Sequence, residues 1–286
     1  MKNTFLLFLC LCTAQIALAQ QVKLQISNKE TNEPVEFATV LLPNYKKSFV
    51  SNEKGLFVVD AKKYNFPLTV VVETFGFEKK EIILQDSTTI TTTLLDPASE
   101  LLQEIIIPPA NAKIKERTFG RTNEGSGKIA GFFRSYDKDN KDSGLEFGMI
   151  ISTNDKLKKV KKIHWHIGSV DFNKAMFNLQ FYEVENGKPT KKIPHSKINF
   201  NIVKGSKGWN VINVEGLEIF IDGNKKVAAI LKTLKVDLNK EKENNYLGVN
   251  IGSAIGNQIV GRDSQFEDWH KFPMNYPFYI TVDSYE

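Results

Sequence analysis

The stretch "NEPVEFATVLL", residues 32–42, joins a turn to an apolar run, and its reading decides the fold class. Asn32 and Pro34 belong to the turn, because proline fixes φ and lacks an amide donor while asparagine tolerates turn conformations. After them Val35, Phe37, Thr39 and Leu41 alternate with Glu36, Ala38 and Val40, the two-residue period of a strand. Upstream, "VKLQIS" sets Val22, Leu24 and Ile26 against Lys23 and Gln25 in the same rhythm. Downstream, "SNEKGLFVVD" places Gly55 between a polar turn and a strand from Leu56 to Val59, and "LTVVVETFGFEKKEIIL" carries two strands around Gly76. The run "TTITTTLL", rich in β-branched residues, adds a last strand. Short strands with turns about every ten residues predict a small β-sandwich.

In this order and spacing, "NKETNEPVEFATVLL", "SNEKGLFVV" and "VVETFGFEKKEIIL" resemble the successive blocks of the carboxypeptidase regulatory-like domain, with Gly55 and Gly76 at its turn glycines. The resemblance runs from Gln21 to about Leu95 and implies a transthyretin-like β-sandwich of the kind found in exported proteins of gram-negative bacteria. It also implies an accessory module, not the peptidase. Metallocarboxypeptidases of that group hold zinc through a histidine followed three residues later by glutamate, with a further histidine. Here that offset carries Ile167 after His164, Ser169 after His166, Ile198 after His195 and Pro273 after His270.

The chain opens with "MKNTFLLFLCLCTAQIALAQ": a lysine, an apolar run and the small residues Ala17 and Ala19, the pattern of a secretory signal cut after Ala19. The apolar run falls short of the roughly 20 residues that a membrane span needs. Cys10 and Cys12 are the only cysteines and lie inside this run without a lipobox, so the mature chain is expected to be free of disulfides and of lipid. Loss of Lys2 lowers the formal net charge of +5 by one. The basic residues are spread along the chain, so composition gives no ground for a nucleic-acid partner.

A chain of 286 residues less such a leader suggests about two domains. The segment 97–128, with Pro108, Pro109 and a polar glycine-containing tail, reads as a linker between a first domain at 20–96 and a second at 129–286. The second domain again shows strands: "LEFGMIIST", "KKIHWHIGS", "FNLQFYEVENGKP", "GWNVINV", "KVAAILKTLKVD" and "FYITVDS". Ile163, Trp165 and Ile167 form one apolar face and Phe177, Leu179 and Phe181 another, which predicts a second, jelly-roll-like sandwich and an all-β protein. "FNLQFYEVENGKP" followed by "KGWNVINV" also resembles a C-terminal β-domain seen behind regulatory-like domains in bacterial envelope proteins.

No catalytic constellation emerges. No serine sits in a Gly-x-Ser-x-Gly elbow, and no glycine-rich turn precedes Lys-Ser or Lys-Thr. His164 and His166 in "HWH" project from one face of a strand about 7 Å apart and form a metal candidate that lacks a third ligand. "DKDNKDSGLE" offers oxygen ligands but fails as an EF-hand: Lys141 stands fifth, Asp142 takes the turn glycine's place and Gly148 that of the terminal glutamate. The run "KLKKVKK", Lys156 to Lys162, reads as a solvated approach to a strand. Among the large aromatics, Tyr182 and Tyr276 could contribute to a carbohydrate platform, while Trp209 and Trp269, close to turns, are the surface candidates.

These features lead to the expectation of an exported, non-enzymatic binding module of the periplasm, outer-membrane periphery or cell surface. It needs no cofactor and takes a glycan or a protein partner. The alternatives are a glycan hydrolase using carboxylates of the second domain, or a structural spacer.

Overall fold

The structure, a computed structural model, describes residues 21–85, 90–98, 106–125, 129–135, 144–223, 225–242, 245–253 and 256–286. The signal segment and most of "DKDNKDSGLE" lie outside them. The described chain is nearly all β and divides into two compact units with the main boundary after Ala98. Among the described residues no helix is long and apolar enough to cross a membrane.

In the first unit Gln21–Asn28 is the centre of a three-stranded sheet, antiparallel to Leu56–Asp60 and parallel to Ile90–Leu95. Thr39–Leu42, Leu68–Glu73 and Lys80–Leu84 pair antiparallel in a second sheet. Val22, Leu24 and Ile26 from the first sheet and Val40, Leu42, Leu68, Val70 and Val72 from the second are all buried. Gly55 takes φ +65°, and a β-carbon there would stand 2.4 Å from the Ile26 carbonyl oxygen, so the turn requires glycine.

The segment 32–42 departs from simple alternation. The strand begins only at Thr39, Phe37 takes a left-handed φ of 53°, and every residue from Phe37 to Leu42 is buried. Val35 donates its amide to the Ile26 carbonyl and Ala38 donates to Ser51 Oγ, so this stretch crosses the sandwich as a satisfied loop before it pairs. Burial on both sides abolishes the contrast from which a strand face is read.

The second unit is a sandwich of a seven-stranded and a five-stranded sheet. Lys174–Glu185 pairs with Lys226–Asp237, which pairs in turn with Glu146–Ser152 and, through it, Gln258–Arg262. The hairpin to Lys188–Lys192 turns at Asn186 and Gly187, both at positive φ, as an Asn-Gly turn demands. In the facing sheet Leu157–Ile167 lies between Gly208–Asn213 and Phe278–Tyr285, and Ile114–Arg121 closes the far side.

That last strand corrects the linker reading in part, since Ile114–Arg121 lies inside the segment 97–128. Its polar side chains hid it: Lys115 and Arg117 pair with Glu286 and Glu116 pairs with Lys161, while the backbone carries the ladder to Phe278–Tyr285. An edge strand held by main-chain hydrogen bonds and exposed ion pairs has no apolar alternation to read. The lysine run also differs from its expectation. Lys158 is fully buried, with Nζ donating to the carbonyls of Asn154 and Lys156, and burial pulls its pKa down to about 8. Lys159 meets Glu218, and Lys161 lies within ion-pair distance of Glu116, Glu215 and Asp283.

Between the sheets Trp165 is fully buried, its ring 5.8 Å from Phe177, 6.2 Å from Phe147 and 6.3 Å from Phe200. Its indole N–H has no hydrogen-bond partner among the described residues. Trp165→Ala is therefore expected to cost about 3–5 kcal/mol of unfolding free energy. Trp165→Phe, which removes the orphaned donor and keeps a ring, should cost much less; equal losses in urea titrations would refute this account.

His195 fills a gap in the ladder. Lys188–Lys192 and Ile198–Val203 both border Lys174–Glu185, and between them the Phe181 amide donates to His195 Nε2 at 3.2 Å while His195 Nδ1 donates to the Ser196 carbonyl at 2.7 Å. Both nitrogens of a neutral imidazole are thereby used, and burial pushes the pKa below its ordinary value. Because the folded pKa is the lower one, this stabilisation is complete above about pH 6.5 and falls as the pH drops through the folded value. The urea midpoint should decrease between pH 7 and pH 5, and His195→Gln should flatten that decrease; an unchanged slope in the variant would exclude His195 as its source.

Candidate functional site

Strand alternation builds the outer face of the five-stranded sheet. With Ile163, Trp165 and Ile167 directed into the core, His164 and His166 point outward from Leu157–Ile167. Across one ladder His164 stands opposite Val211 and His166 opposite Trp209; across the other, His164 stands opposite Tyr279. Cross-strand pairing thus gathers four rings. His164 stacks on Tyr279 with centroids 4.1 Å apart and planes 10° from parallel. Trp209 meets Tyr279 at 5.1 Å and His166 at 5.2 Å, both nearly edge to face. Trp209, Tyr279 and His164 are half-exposed, whereas His166 is buried.

The two histidines are held for different reasons. His164 Nε2 lies 3.1 Å from Thr281 Oγ1, and burial, with Lys162 nearby, lowers its pKa. His166 Nε2 is 3.6 Å from the Glu124 carboxylate, and its Nδ1 has no partner among the described residues. His195, the other histidine considered as a ligand, has both nitrogens committed to backbone. Among the described residues no group of three or more His, Cys, Asp or Glu side chains is arranged to hold a metal ion.

Next to Tyr279 in register is Gly120, at the end of the edge strand. Gly120 also lines a polar hollow of about 430 Å³, formed by residues 120–123 together with Gly252, Ser253, Asn257 and Asn275. Arg121 is half-buried in its wall. Nε donates to Asn123 Oδ1 at 2.9 Å and Nη1 to Asn275 Oδ1 at 2.8 Å. Asn275 is buried, and the Asn250 side-chain amide donates to the Glu124 carbonyl, which fastens the turn after the strand.

Trp269, expected at the surface, is only 9% exposed and packs with Ile150, Tyr182, Ala228, Ile230 and Val260. The Arg262 guanidinium sits 4.2 Å from the centre of its ring and also binds Glu146 at 2.5 and 2.6 Å. The physical reason is that the seven-stranded sheet carries apolar residues on both faces, and Trp269 covers the outer one. Tyr182 and Tyr276 are likewise interior. Of the aromatic candidates, Trp209 alone reaches the outer face, and the structure joins it to both histidines. Sequence reading missed Tyr279, although its alternation with Phe278 and Ile280 carried the signal, and Arg121, which lay in the segment read as linker.

Among proteins of curated function, none matches the chain. Of solved structures, the cysteine protease and lectin-like domains of Cwp84, a surface layer associated protein of Clostridium difficile, are 11% identical, with 82% of this chain and 45% of that one covered and a TM-score of 0.36. A variant of the Clostridial cysteine protease Cwp84 after propeptide cleavage is 9% identical over 86% of this chain and 64% of that one, with a TM-score of 0.37. The chain therefore spans less than two thirds of either protease chain. A protein of Bacteroides uniformis provisionally assigned carbohydrate binding is 10% identical, with 89% and 96% covered and a TM-score of 0.23. The family comparison is more direct, because the model of the CarboxypepD_reg-like domain matches the stretch that holds the successive strands and both turn glycines of the first unit. Residues 24–107 of this chain match the family model of the CarboxypepD_reg-like domain.

Proposed function

We propose that the chain is an exported, non-enzymatic binding module of the bacterial envelope, and that its second unit binds glycans on the outer face of the five-stranded sheet. The observation that carries this reading is the half-exposed pair Trp209 and Tyr279, with ring centres 5.1 Å apart; a polar hollow that includes Arg121 lies at the end of the neighbouring edge strand. Flat rings bury the apolar faces of sugars, and amides and hydroxyls beside them orient the hydroxyl groups. Export follows from the lysine, apolar run and Ala-Leu-Ala sequence at the start of the chain. Hydrolysis is the weaker reading. A glycosidase of the usual kind needs two carboxylates about 5–9.5 Å apart across its cleft, whereas the described residues lining this hollow include neither Asp nor Glu.

Titration of the purified chain with the best ligands of a glycan array tests the proposal. Trp209→Ala should weaken binding by about 1 kcal/mol or more, as loss of a contact anchor does, with the circular dichroism spectrum unchanged. If the wild-type chain retains no glycan on the array, the glycan reading falls and a protein partner takes its place.

A further inference from the structure

We infer that the hollow at Arg121 receives a carboxylate, so that the ligand of this module is an acidic glycan bearing uronic-acid residues. This rests on the glycan reading for the sugar but on separate atoms for the charge. Of the arginine side chains described, Arg117 binds Glu286 and Arg262 binds Glu146, whereas Arg121 meets no carboxylate among the described residues. Its Nε and Nη1 are bonded to neutral oxygens of Asn123 and Asn275, and Nη2 has no hydrogen-bond partner among the described residues. Glu124, the nearest acid in sequence, turns its carboxylate to His166.

The guanidinium is thus held in place but not neutralised. Nη1 lies so close to the backbone at Gly252 that a β-carbon there would come within 2.3 Å of it, which leaves the cation no room to swing away on that side. Partial burial of a cation among neutral dipoles is unfavourable unless an anion completes the site, and the same desolvation strengthens the attraction when one arrives. With Nε and Nη1 engaged, Nη2, beside Gly125, is the nitrogen left to donate to a carboxylate oxygen. Neutral donors line the same hollow: Asn257 Oδ1 accepts the Ser152 amide, so its NH2 group is left to donate, and Ser253 adds a hydroxyl. The volume of about 430 Å³ lies in the range of small-molecule sites and exceeds what an inorganic anion needs. Gly120, which lines the hollow, is the register partner of Tyr279, and Arg121 is that of the buried Phe278, so the hollow and the aromatic cluster share one end of the edge strand.

Calorimetric titration of the full chain with oligogalacturonate, its methyl ester, dextran sulfate and dextran tests this. Oligogalacturonate should bind at least tenfold tighter than its ester, and the difference should shrink with added salt. Arg121→Lys, which keeps the charge and loses the bonds to Asn123 and Asn275 that orient it, should remove most of that discrimination. Equal affinity of acid and ester, or no binding of either, overturns the inference without needing any variant. Tighter binding of dextran sulfate than of oligogalacturonate overturns the carboxylate in favour of a sulfate ester. If the acid discriminates through Arg121 while Trp209→Ala changes nothing, the anion pocket stands and the aromatic platform fails; the reverse pattern retains the platform and removes the pocket.

Discussion

The second unit is organised by the burial of Trp165. A strand directs successive side chains to opposite faces, so fixing this indole among Phe147, Phe177 and Phe200 leaves its neighbours His164 and His166 no direction except outward. The ladder then supplies their partners without further choice, since Trp209 and Tyr279 occupy the positions beside them. A slip of one residue in that strand would turn two imidazoles toward the core and the tryptophan away from it. The register is therefore protected by a large hydrophobic penalty, and the outer cluster inherits its precision from the core behind it.

Polar groups inside the sandwich show what a finished site looks like in this protein. Glu146 is buried but accepts a hydrogen bond from Arg262 Nε and forms an ion pair with the same guanidinium, which also covers Trp269. Lys158 is buried with its ammonium on backbone carbonyls. His195 spends both nitrogens on main chain where two short edge strands leave a gap. Against these, Arg121 is oriented, among the described residues, through neutral oxygens, in the wall of a hollow. The contrast between completed charges and an oriented, uncompleted one separates structural polarity from polarity available to a ligand.

The histidine and glutamate spacing of the zinc enzymes is missing at all four histidines of the sequence. In the second unit the His164 and His166 pair is engaged with Tyr279, Thr281, Trp209 and Glu124 instead. Aromatic and amide groups on a rigid sheet are suited to holding a ligand, and the rigidity comes from backbone ladders on both sides of the central strand.

The two-residue rhythm of "VKLQIS" and "KKIHWHIGS", the Asn-Gly hairpin and the glycine at position 55 follow from local sterics and burial, so the sequence by itself determined the all-β class and the inward direction of Trp165. Where burial on both faces or polarity throughout erased that rhythm, sequence was silent. Val35, Phe37 and Ala38 proved to be buried in a loop from which Glu36 projects, and Ile114–Arg121 proved to be an edge strand. Only the tertiary structure decided that Trp209 lies outside while Trp269 lies inside, and that Arg121, Asn123 and Asn275 meet. The reason is that such meetings depend on which strands become neighbours. Pairing partners distant in the chain are selected by the energy of the whole core, and no local spacing encodes that sum.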